Sequence, residues 1–172
     1  SPWVQFNGQT LNLSHRQIEI LCILALHPHG IGLEELHYAL YGERSVSLKT
    51  LKAELSQLRS LLPHSIEARI YRLSCEVQCD FLCAEQSLNA NLISSTFSLY
   101  KGSFLSKSES PLLSTWRHCF DARLSQLIYQ IKDIDQLLRI IGQTHDRIDA
   151  VQRLLELLPQ DSIHRNYFSN LI

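Results

Sequence analysis

The sequence predicts a mainly α-helical protein with small β elements, and three observations in its first half carry that prediction. Two short amphipathic patterns come first, in LSHRQIEILCILALHPHG and IGLEELHYALYG. A longer pattern follows in SLKTLKAELSQLRSLL, where leucines recur every three or four residues. The next segment, SIEARIYRL, alternates apolar and polar side chains, which is the period of a half-buried strand.

The first helix has its own start and stop signals. Ser14 stands at the N-cap with Gln17 three residues later, as in a capping box, and Pro28 and Gly30 end the pattern. The side chains expected to face the core are Ile18, Leu21, Cys22, Leu24 and Ala25. The segment is therefore predicted to be a helix with one buried face.

The second helix is short. Gly42 is its expected C-cap, because glycine tolerates the left-handed backbone that commonly closes a helix. The inward side chains are expected to be Leu33, Leu36, Ala39 and Leu40. The segment ERSVS then turns the chain into a third helix, predicted over residues 47–62.

The third helix is the candidate functional element. One side is an apolar stripe that must face a core, and it consists of Leu48, Leu51, Leu55, Leu58 and Leu62. The other side shows Lys49, Thr50, Lys52, Ala53, Glu54, Ser56, Gln57 and Arg59. A helix in the major groove of DNA needs such a mixture of cations and short polar side chains. An ordinary amphipathic surface helix has the same periodicity, so the pattern alone leaves both interpretations open.

Pro63 ends the third helix, and a short basic hairpin is predicted over residues 65–73. The inward positions of its strand pattern are Ile66, Ala68 and Ile70. Arg69 or Arg72 would lie against phosphates or in the adjacent minor groove. Three helices followed by a hairpin form the layout of a winged helix-turn-helix, which favours sequence-specific binding of double-stranded DNA.

These segments resemble the OmpR-type winged helix of bacterial transcription factors, through LSHRQIEIL, the LYG that ends the second helix, LKTLKAELSQLRSLL and the closing YRL. The resemblance implies a small N-terminal sheet in which Phe6 and Leu11 flank a turn at Asn7-Gly8. Further on, VQCDFLCAEQSL, LYKGSFL and SPLLSTWRHCFDARLSQLIYQI are similar to the bacterial transcriptional activator domain. The implied organisation is a DNA-binding domain over residues 1–80 and a helical activator-like domain over residues 81–172.

Helix geometry and this resemblance together assign roles on the recognition helix. Lys49, Thr50 and Arg59 suit phosphates, whereas Lys52, Ala53, Glu54 and Gln57 project toward base edges. Glu54 would accept from a cytosine amino group and Gln57 would pair with adenine. The alternative for Glu54 is a solvated side chain or an ion pair with a nearby lysine. Many OmpR-type helices carry a small or acidic residue at the position of Lys52, so their base preference does not transfer.

Net charge is the main argument against DNA binding. The formal charge of the chain is −1, whereas DNA-binding domains are usually basic. From Arg44 to Arg72, however, six cations accompany two acids, so positive charge concentrates on the proposed reading surface. Few phosphate contacts predict modest affinity for a monomer and favour a homodimer or a second half-site. The near-neutral charge leaves one alternative open, a protein-interaction module on a winged-helix scaffold that does not bind DNA.

The second half reads as successive short helices punctuated by Gly102, Pro111, Gly142 and Pro159. Pairs of such helices resemble the tetratricopeptide-like packing of activator domains. Trp116, Phe120 and Leu124 are expected to be core residues. The predicted fold class is therefore a winged helix-turn-helix plus an α-helical, tetratricopeptide-like domain.

The residues favour binding over catalysis. Cys75, Cys79 and Cys83 have a spacing that matches neither zinc-finger pairs nor common cluster motifs, so reduced thiols and no metal are expected. The sequence has no Gly-rich phosphate loop, GxSxG or HExxH motif, so we expect neither an enzyme nor a cofactor. No run of eighteen apolar residues and no signal-type start are present, which favours a cytoplasmic protein without a membrane partner.

The chain starts SPWV and contains no Met, which predicts a piece of a longer protein. Its arrangement resembles regulators that carry an N-terminal GAF-type small-molecule sensor. The resemblance therefore implies a sensor domain in the full-length chain, and RNA polymerase as a partner in addition to DNA.

Overall fold

The computed structural model describes residues 4–144 and 147–170, which are mainly helical with two small antiparallel sheets. The first elements are β1 (Val4–Phe6), β2 (Gln9–Leu11), α1 (His15–Leu26), α2 (Leu33–Tyr41), α3 (Leu48–Leu61), β3 (Ile66–Glu67) and β4 (Arg72–Leu73). The later elements are α4 (Asp80–Asn89), α5 (Ile93–Leu99), α6 (Pro111–Gln130), α7 (Ile134–Gln143), α8 (Ile148–Leu157) and α9 (Ile163–Ser169). The predicted class, mainly α with small β elements, is confirmed. None of the described helices combines the length and the apolar character that crossing a bilayer requires.

The described chain divides into two compact units. The first contains the residues up to Val77 together with Leu105–Trp116, and the second contains Gln78–Phe104 and the residues from Arg117 on. The boundary in α6 falls inside the helix, which begins in the first unit. The predicted organisation, with a single division at residue 80, does not include the return of Leu105–Trp116 to the first unit.

The N-terminal hairpin follows from its turn residues. Asn7 and Gly8 have positive φ angles of 50° and 79°, and β1 and β2 pair in register on either side of them, with Phe6 opposite Gln9. Two consecutive positive φ angles match the right-handed twist of the strands, which is why Asn-Gly is favoured in two-residue hairpin loops. The expected turn at Asn7-Gly8 is confirmed.

The capping box of α1 is also confirmed. The Ser14 hydroxyl accepts from the backbone N–H of Gln17 at 3.2 Å, and the Gln17 side chain accepts from the backbone N–H of Ser14 at 3.0 Å. The buried face differs from the prediction, because Ile20 and Ile23 are fully buried, whereas Leu21, Cys22 and Ala25 are only half-buried. The reason is that α1 packs against α2, α3 and β4, so it is covered on several sides.

The helices α2 and α3 bury the faces that their periodicity predicts, with two exceptions at their first residues. The buried side chains are Leu36, Ala39 and Leu40 on α2 and Leu51, Leu55 and Leu58 on α3, with Leu62 just beyond. Leu33 is half-buried and Leu48 is 38% exposed, because each begins its helix and the core lies under later turns. Gly42 caps α2 with a φ of 59°, as predicted.

The hairpin after α3 lies within the predicted residues 65–73, but its two strands are only two residues long each. Its strands pair only Ile66 with Leu73 and Glu67 with Arg72, and residues 68–70 form the turn. Arg69 has a φ of 88°, so the chain reverses in the middle of the expected alternation. Ile66 is buried as expected, but Ala68 and Ile70 are exposed, and their predicted inward placement is wrong.

A backbone bridge attaches this hairpin to the linker between α1 and α2. Ile31 and Tyr71 exchange both of their N–H···O bonds, at 3.0 and 2.9 Å. The preceding Gly30 has a φ of 90°, and a Cβ there would lie 2.3 Å from Ile70 Cγ2 and 3.3 Å from the Tyr71 carbonyl oxygen. Only glycine combines this backbone conformation with such a close approach.

The second unit is built from helices that pack in sequence. The pairs in contact are α4 with α5, α5 with α7, α7 with α8 and α8 with α9. Phe120 and Leu124 are buried as predicted, whereas Trp116, which belongs to the first unit, is half-buried. The buried Arg147 donates to Asp149 and, at 2.9 Å, to the Ser125 hydroxyl.

Gly30→Ala should lower the free energy of unfolding by about 1–3 kcal/mol or more, because it strains the backbone and displaces the hairpin. Gly142→Ala is the matched control, since Gly142 is in α7 and a Cβ there meets nothing within 4 Å. Helix propensity predicts an unchanged or higher stability for it, by up to about 1 kcal/mol. Urea unfolding followed by circular dichroism measures both, and equal effects of the two substitutions would contradict the role of Gly30.

Candidate nucleic-acid interface

The orientation of α3 is fixed at its start and along its buried side. Ser47 caps the helix, since its hydroxyl accepts from the Thr50 N–H at 3.3 Å and lies 3.1 Å from the Thr50 hydroxyl. The leucines on the inner side leave the opposite side uncovered by other described residues of the unit. The exposed side chains there are Lys49, Thr50, Lys52, Ala53, Ser56, Gln57, Arg59 and Ser60.

Three of these exposed side chains are uncompensated cations. Lys49, Lys52 and Arg59 lie on the same side of α3 because they follow at three- and seven-residue spacings. Within residues 4–144 and 147–170, they make no ion pair or side-chain hydrogen bond. Such a row of uncompensated positive charge is what neutralisation of phosphates requires.

Glu54 is placed differently from the expectation of an exposed base reader. The side chain is half-buried, and its Oε2 is buried without a hydrogen-bond partner among the described residues. Its negative charge is close enough to Tyr41 of α2 to affect the pKa of that phenol. Burial raises the pKa of Tyr41, Arg16 opposes this, and the negative charges of Glu54 and Glu19 add to it. Glu54 therefore belongs to the contact between α3 and α2 at least as much as to the outer surface.

Gln57 is exposed but already engaged on one side. Its Oε1 accepts from Gln17 Nε2 at 3.3 Å, which links α3 to the first turn of α1. The two residues line an open, shallow groove together with Asn12, Leu13, Ser14, Ser60 and Leu61. Bidentate pairing with adenine needs both amide atoms, so Gln57 would have to exchange the bond to Gln17.

The two arginines of the hairpin differ in their availability. Arg72 Nη2 donates to both carboxylate oxygens of Glu67, at 2.8 and 2.9 Å, and this hydrogen bonding raises the pKa of Arg72. Arg69 lies at the turn, is exposed, and has no hydrogen bond or ion pair with another residue in the described part of the chain. Arg69 is therefore the better candidate for contact with DNA.

Arg44 also has a partner. Its Nη1 donates to Glu109 Oε2 at 2.6 Å, and its other donors bond the carbonyl oxygens of Leu40, Tyr41 and Glu109. Of the six cations between Arg44 and Arg72, four are then uncompensated in the described structure: Lys49, Lys52, Arg59 and Arg69.

No protein-family model matches this chain. A relative from Rhodococcus erythropolis, an "Uncharacterized 47.3 kDa protein in thcA 5'region", is 28% identical over 151 residues. The match covers 87% of this chain and 34% of the relative, so the chain spans about a third of the length of the relative that it matches.

A buried ionic cluster behind α3 was not among the predictions from the sequence. Glu19 is 1% exposed and pairs with Arg16 at 2.7 Å. The Arg16 guanidinium lies 4.6 Å from the centre of the Tyr41 ring, and the buried Ser108 hydroxyl donates to Glu19. The three-residue spacing of Arg16 and Glu19 was a local signal for an ion pair, but Ser108 is too distant in sequence to be anticipated.

The three clustered cysteines are free thiols with different surroundings. Cys75 is exposed, whereas Cys79, at the N-cap of α4, and Cys83 are half-buried. Burial raises the pKa of the Cys79 thiol to about 11, and the nearby Asp80 and Cys83 add to the rise. In the described part of the chain, no group of three or more His, Cys, Asp or Glu is arranged to hold a metal ion.

Cys79 should therefore react more slowly with alkylating reagents than Cys75. Alkylation by iodoacetamide at pH 8 should modify Cys75 well before Cys79, because the thiolate is the reacting form. The rate at Cys79 should rise with a midpoint near pH 11, the pKa of the folded state. Because that pKa lies above the unfolded value, the contribution of the neutral thiol to stability is complete below about pH 9 and is lost as pH rises through 11. Tandem mass spectrometry of the modified peptide resolves the sites, and equal rates at pH 8 would contradict the assignment.

Proposed function

We propose that the first unit is an OmpR-type winged helix-turn-helix and that it is the sequence-specific DNA-binding part of a bacterial transcriptional regulator. The observation that carries the proposal is the two-sided character of α3. Its leucines are buried, while Lys49, Lys52 and Arg59 form an uncovered row on one side. In this proposal α3 enters the major groove and reads bases with Lys52 and Gln57.

The connection between the hairpin and the helices supports the same proposal. The Ile31–Tyr71 bridge holds the hairpin to the linker between α1 and α2, so the turn with Arg69 has a fixed place relative to the three helices. A rigid wing is useful because its arginine can then touch the backbone or minor groove beside the bases that α3 reads. Arg69 takes this role, and Thr50, Lys49 and Arg59 contact phosphates.

The proposal extends to the second unit and to partners. The contacts of α4 with α5 and of α7 with α8 suit a tetratricopeptide-like arrangement of helix pairs, as in activator domains. Four uncompensated cations make few phosphate contacts, so a homodimer on two half-sites would supply the affinity that one copy lacks. RNA polymerase and a sensor domain in the full-length chain complete the proposed set of partners.

The first experiment recovers a binding site and then measures salt dependence. Full-length chain selects duplexes from a randomised pool, and fluorescence anisotropy compares the selected duplex with a shuffled one between 50 and 200 mM salt. We expect preference for the selected duplex and, for the three cations per copy that contact phosphates, a slope of log K against log salt of about −2.7. No binding at 50 mM salt would contradict the proposal and favour the protein-interaction module. The pairing of Arg44 and Arg72 with acids is the observation that supports this alternative.

The double substitution Lys52→Ala with Gln57→Ala should weaken binding to the selected duplex by at least about 30-fold, since each of the two base contacts contributes about 1–3 kcal/mol of discrimination. Binding to the shuffled duplex should change far less. Lys132→Ala is the control. Lys132 is an exposed lysine of the second unit, and its loss removes one positive charge, as the double substitution does. Unchanged circular dichroism verifies the fold, and wild-type affinity of the double variant for its selected duplex would show that α3 reads bases through other residues.

A further inference from the structure

Two arginines flank α3 in the sequence, and each is held by an exposed glutamate. Arg44 lies three residues before the N-cap Ser47 and pairs with Glu109, whereas Arg72 lies on β4 and pairs with Glu67. The four side chains belong to the first unit and are between 42% and 78% exposed. Both pairs are therefore within reach of solvent and of a ligand.

The Arg44–Glu109 pair is built so that the cation stays in place if the acid is removed. Arg44 Nε donates to the Tyr41 carbonyl oxygen at 3.1 Å, and Nη2 donates to the Leu40 carbonyl oxygen at 3.3 Å. These bonds anchor the guanidinium at the C-terminal end of α2. The Glu109 carboxylate then mainly compensates the charge of a guanidinium that the backbone already positions.

Attachment of residues 105–116 does not account for Glu109. That segment is already tied down by two buried hydroxyls, because Ser110 donates to the Ala39 carbonyl oxygen at 2.7 Å and Ser108 donates to Glu19. An exposed ion pair adds little to such an attachment. The carboxylate beside Arg44 is better explained by its ability to keep other anions away from the guanidinium.

Phosphate is the ligand that a carboxylate excludes most directly from an arginine. Both anions accept two parallel N–H···O bonds from a guanidinium, so they compete for the same donors. Arg44 is near the start of α3, since three residues span at most about 10 Å, and helix N-termini favour phosphate. In this structure Glu109 Oε2 accepts one bond from Arg44 Nη1, and on the hairpin both oxygens of Glu67 accept from Arg72 Nη2.

We propose that the carboxylates of Glu109 and Glu67 compete with DNA phosphates for Arg44 and Arg72. They thereby mask these arginines and hold the DNA affinity of the first unit below what its arginines permit. This inference rests on the proposed DNA-binding function. It also gives two of the chain's acids a role, because Glu109 and Glu67 compensate the arginines that flank α3 in the sequence.

Glu109→Gln tests the inference directly, because glutamine keeps a hydrogen-bond acceptor and removes the charge. We expect several-fold tighter binding to the selected duplex at 50 mM salt. One added phosphate contact also steepens the salt slope by about 0.9, which is about a 3.5-fold larger loss of affinity between 50 and 200 mM salt. Glu67→Gln should act in the same way through Arg72.

Glu34→Gln is the matched control, since Glu34 is an exposed acid on α2 that pairs with no cation in the described part of the chain. It changes the net charge equally but unmasks no arginine. Arg44→Ala should leave the wild-type affinity nearly unchanged and should abolish the gain of Glu109→Gln in the double variant. That dependence on Arg44 separates unmasking from a general effect of charge.

The outcomes distinguish this inference from the proposed function. If the wild type binds its selected duplex and Glu109→Gln behaves like Glu34→Gln, the masking is wrong and DNA binding stands. If the gain of Glu109→Gln survives Arg44→Ala, the masking of Arg44 is also wrong. If neither the wild type nor Glu109→Gln binds any duplex at 50 mM salt, the function and the inference fall together.

Discussion

The burial of one face of α3 is the constraint on which the candidate interface depends. Leu51, Leu55 and Leu58 have essentially no solvent exposure, and α1 and α2 pack against this helix. A helix with such a face has only one rotational setting that keeps its leucines out of water. That setting determines which side chains remain outside, so the row from Lys49 to Arg59 is exposed as a consequence of the core.

The surroundings of α3 add polar constraints to this apolar one. Ser47 caps the start of the helix, Gln17 donates to Gln57, and the charge of the half-buried Glu54 helps to raise the pKa of Tyr41. A buried carboxylate is costly unless it is paired, and Glu19 meets that requirement with Arg16 and Ser108. The cap at Ser47 and the bond between Gln17 and Gln57 therefore constrain the place of the helix in addition to the packing of its leucines. Positional precision of this kind is what a base-reading helix needs.

How much the sequence could predict depended on the range of each interaction. The turn at Asn7-Gly8 and the capping box at Ser14 are set by residues within three positions of one another, and both were predicted correctly. The hairpin was misjudged because alternation at Ala68 and Ile70 looks the same whether a strand continues or a turn interrupts it. Only the left-handed backbone of Arg69, which the residue type does not reveal, makes the difference.

The exposed residues of the candidate site were predictable because helical periodicity is a short-range pattern. The pairing of its charged side chains was not predictable, because several partners are distant in the sequence. Helical periodicity identified the outer residues of α3, but the partners of Arg44 and Glu19 lie 65 and 89 residues away in the sequence. No local pattern brings residues 105–116 back to the first unit, since that return depends on the packing of the whole chain. The pairing of Arg44 and the return of residues 105–116 therefore both depend on contacts that are distant in the sequence, whereas Arg72 is paired by Glu67 five residues away.

Charge compensation changes what the composition of the chain implies. A formal charge of −1 argues against DNA binding only if charges are spread evenly over the surface. Here Glu67 and Glu109 each compensate a particular arginine, while Lys49, Lys52 and Arg59 stay uncompensated on one side of α3. Because non-specific attraction grows with each available cation, a small uncompensated set lowers affinity for all DNA sequences alike. In the proposed DNA-binding function, base contacts would then supply a larger share of the binding free energy, and selectivity for the correct sequence would follow from the weakness of the electrostatic contribution.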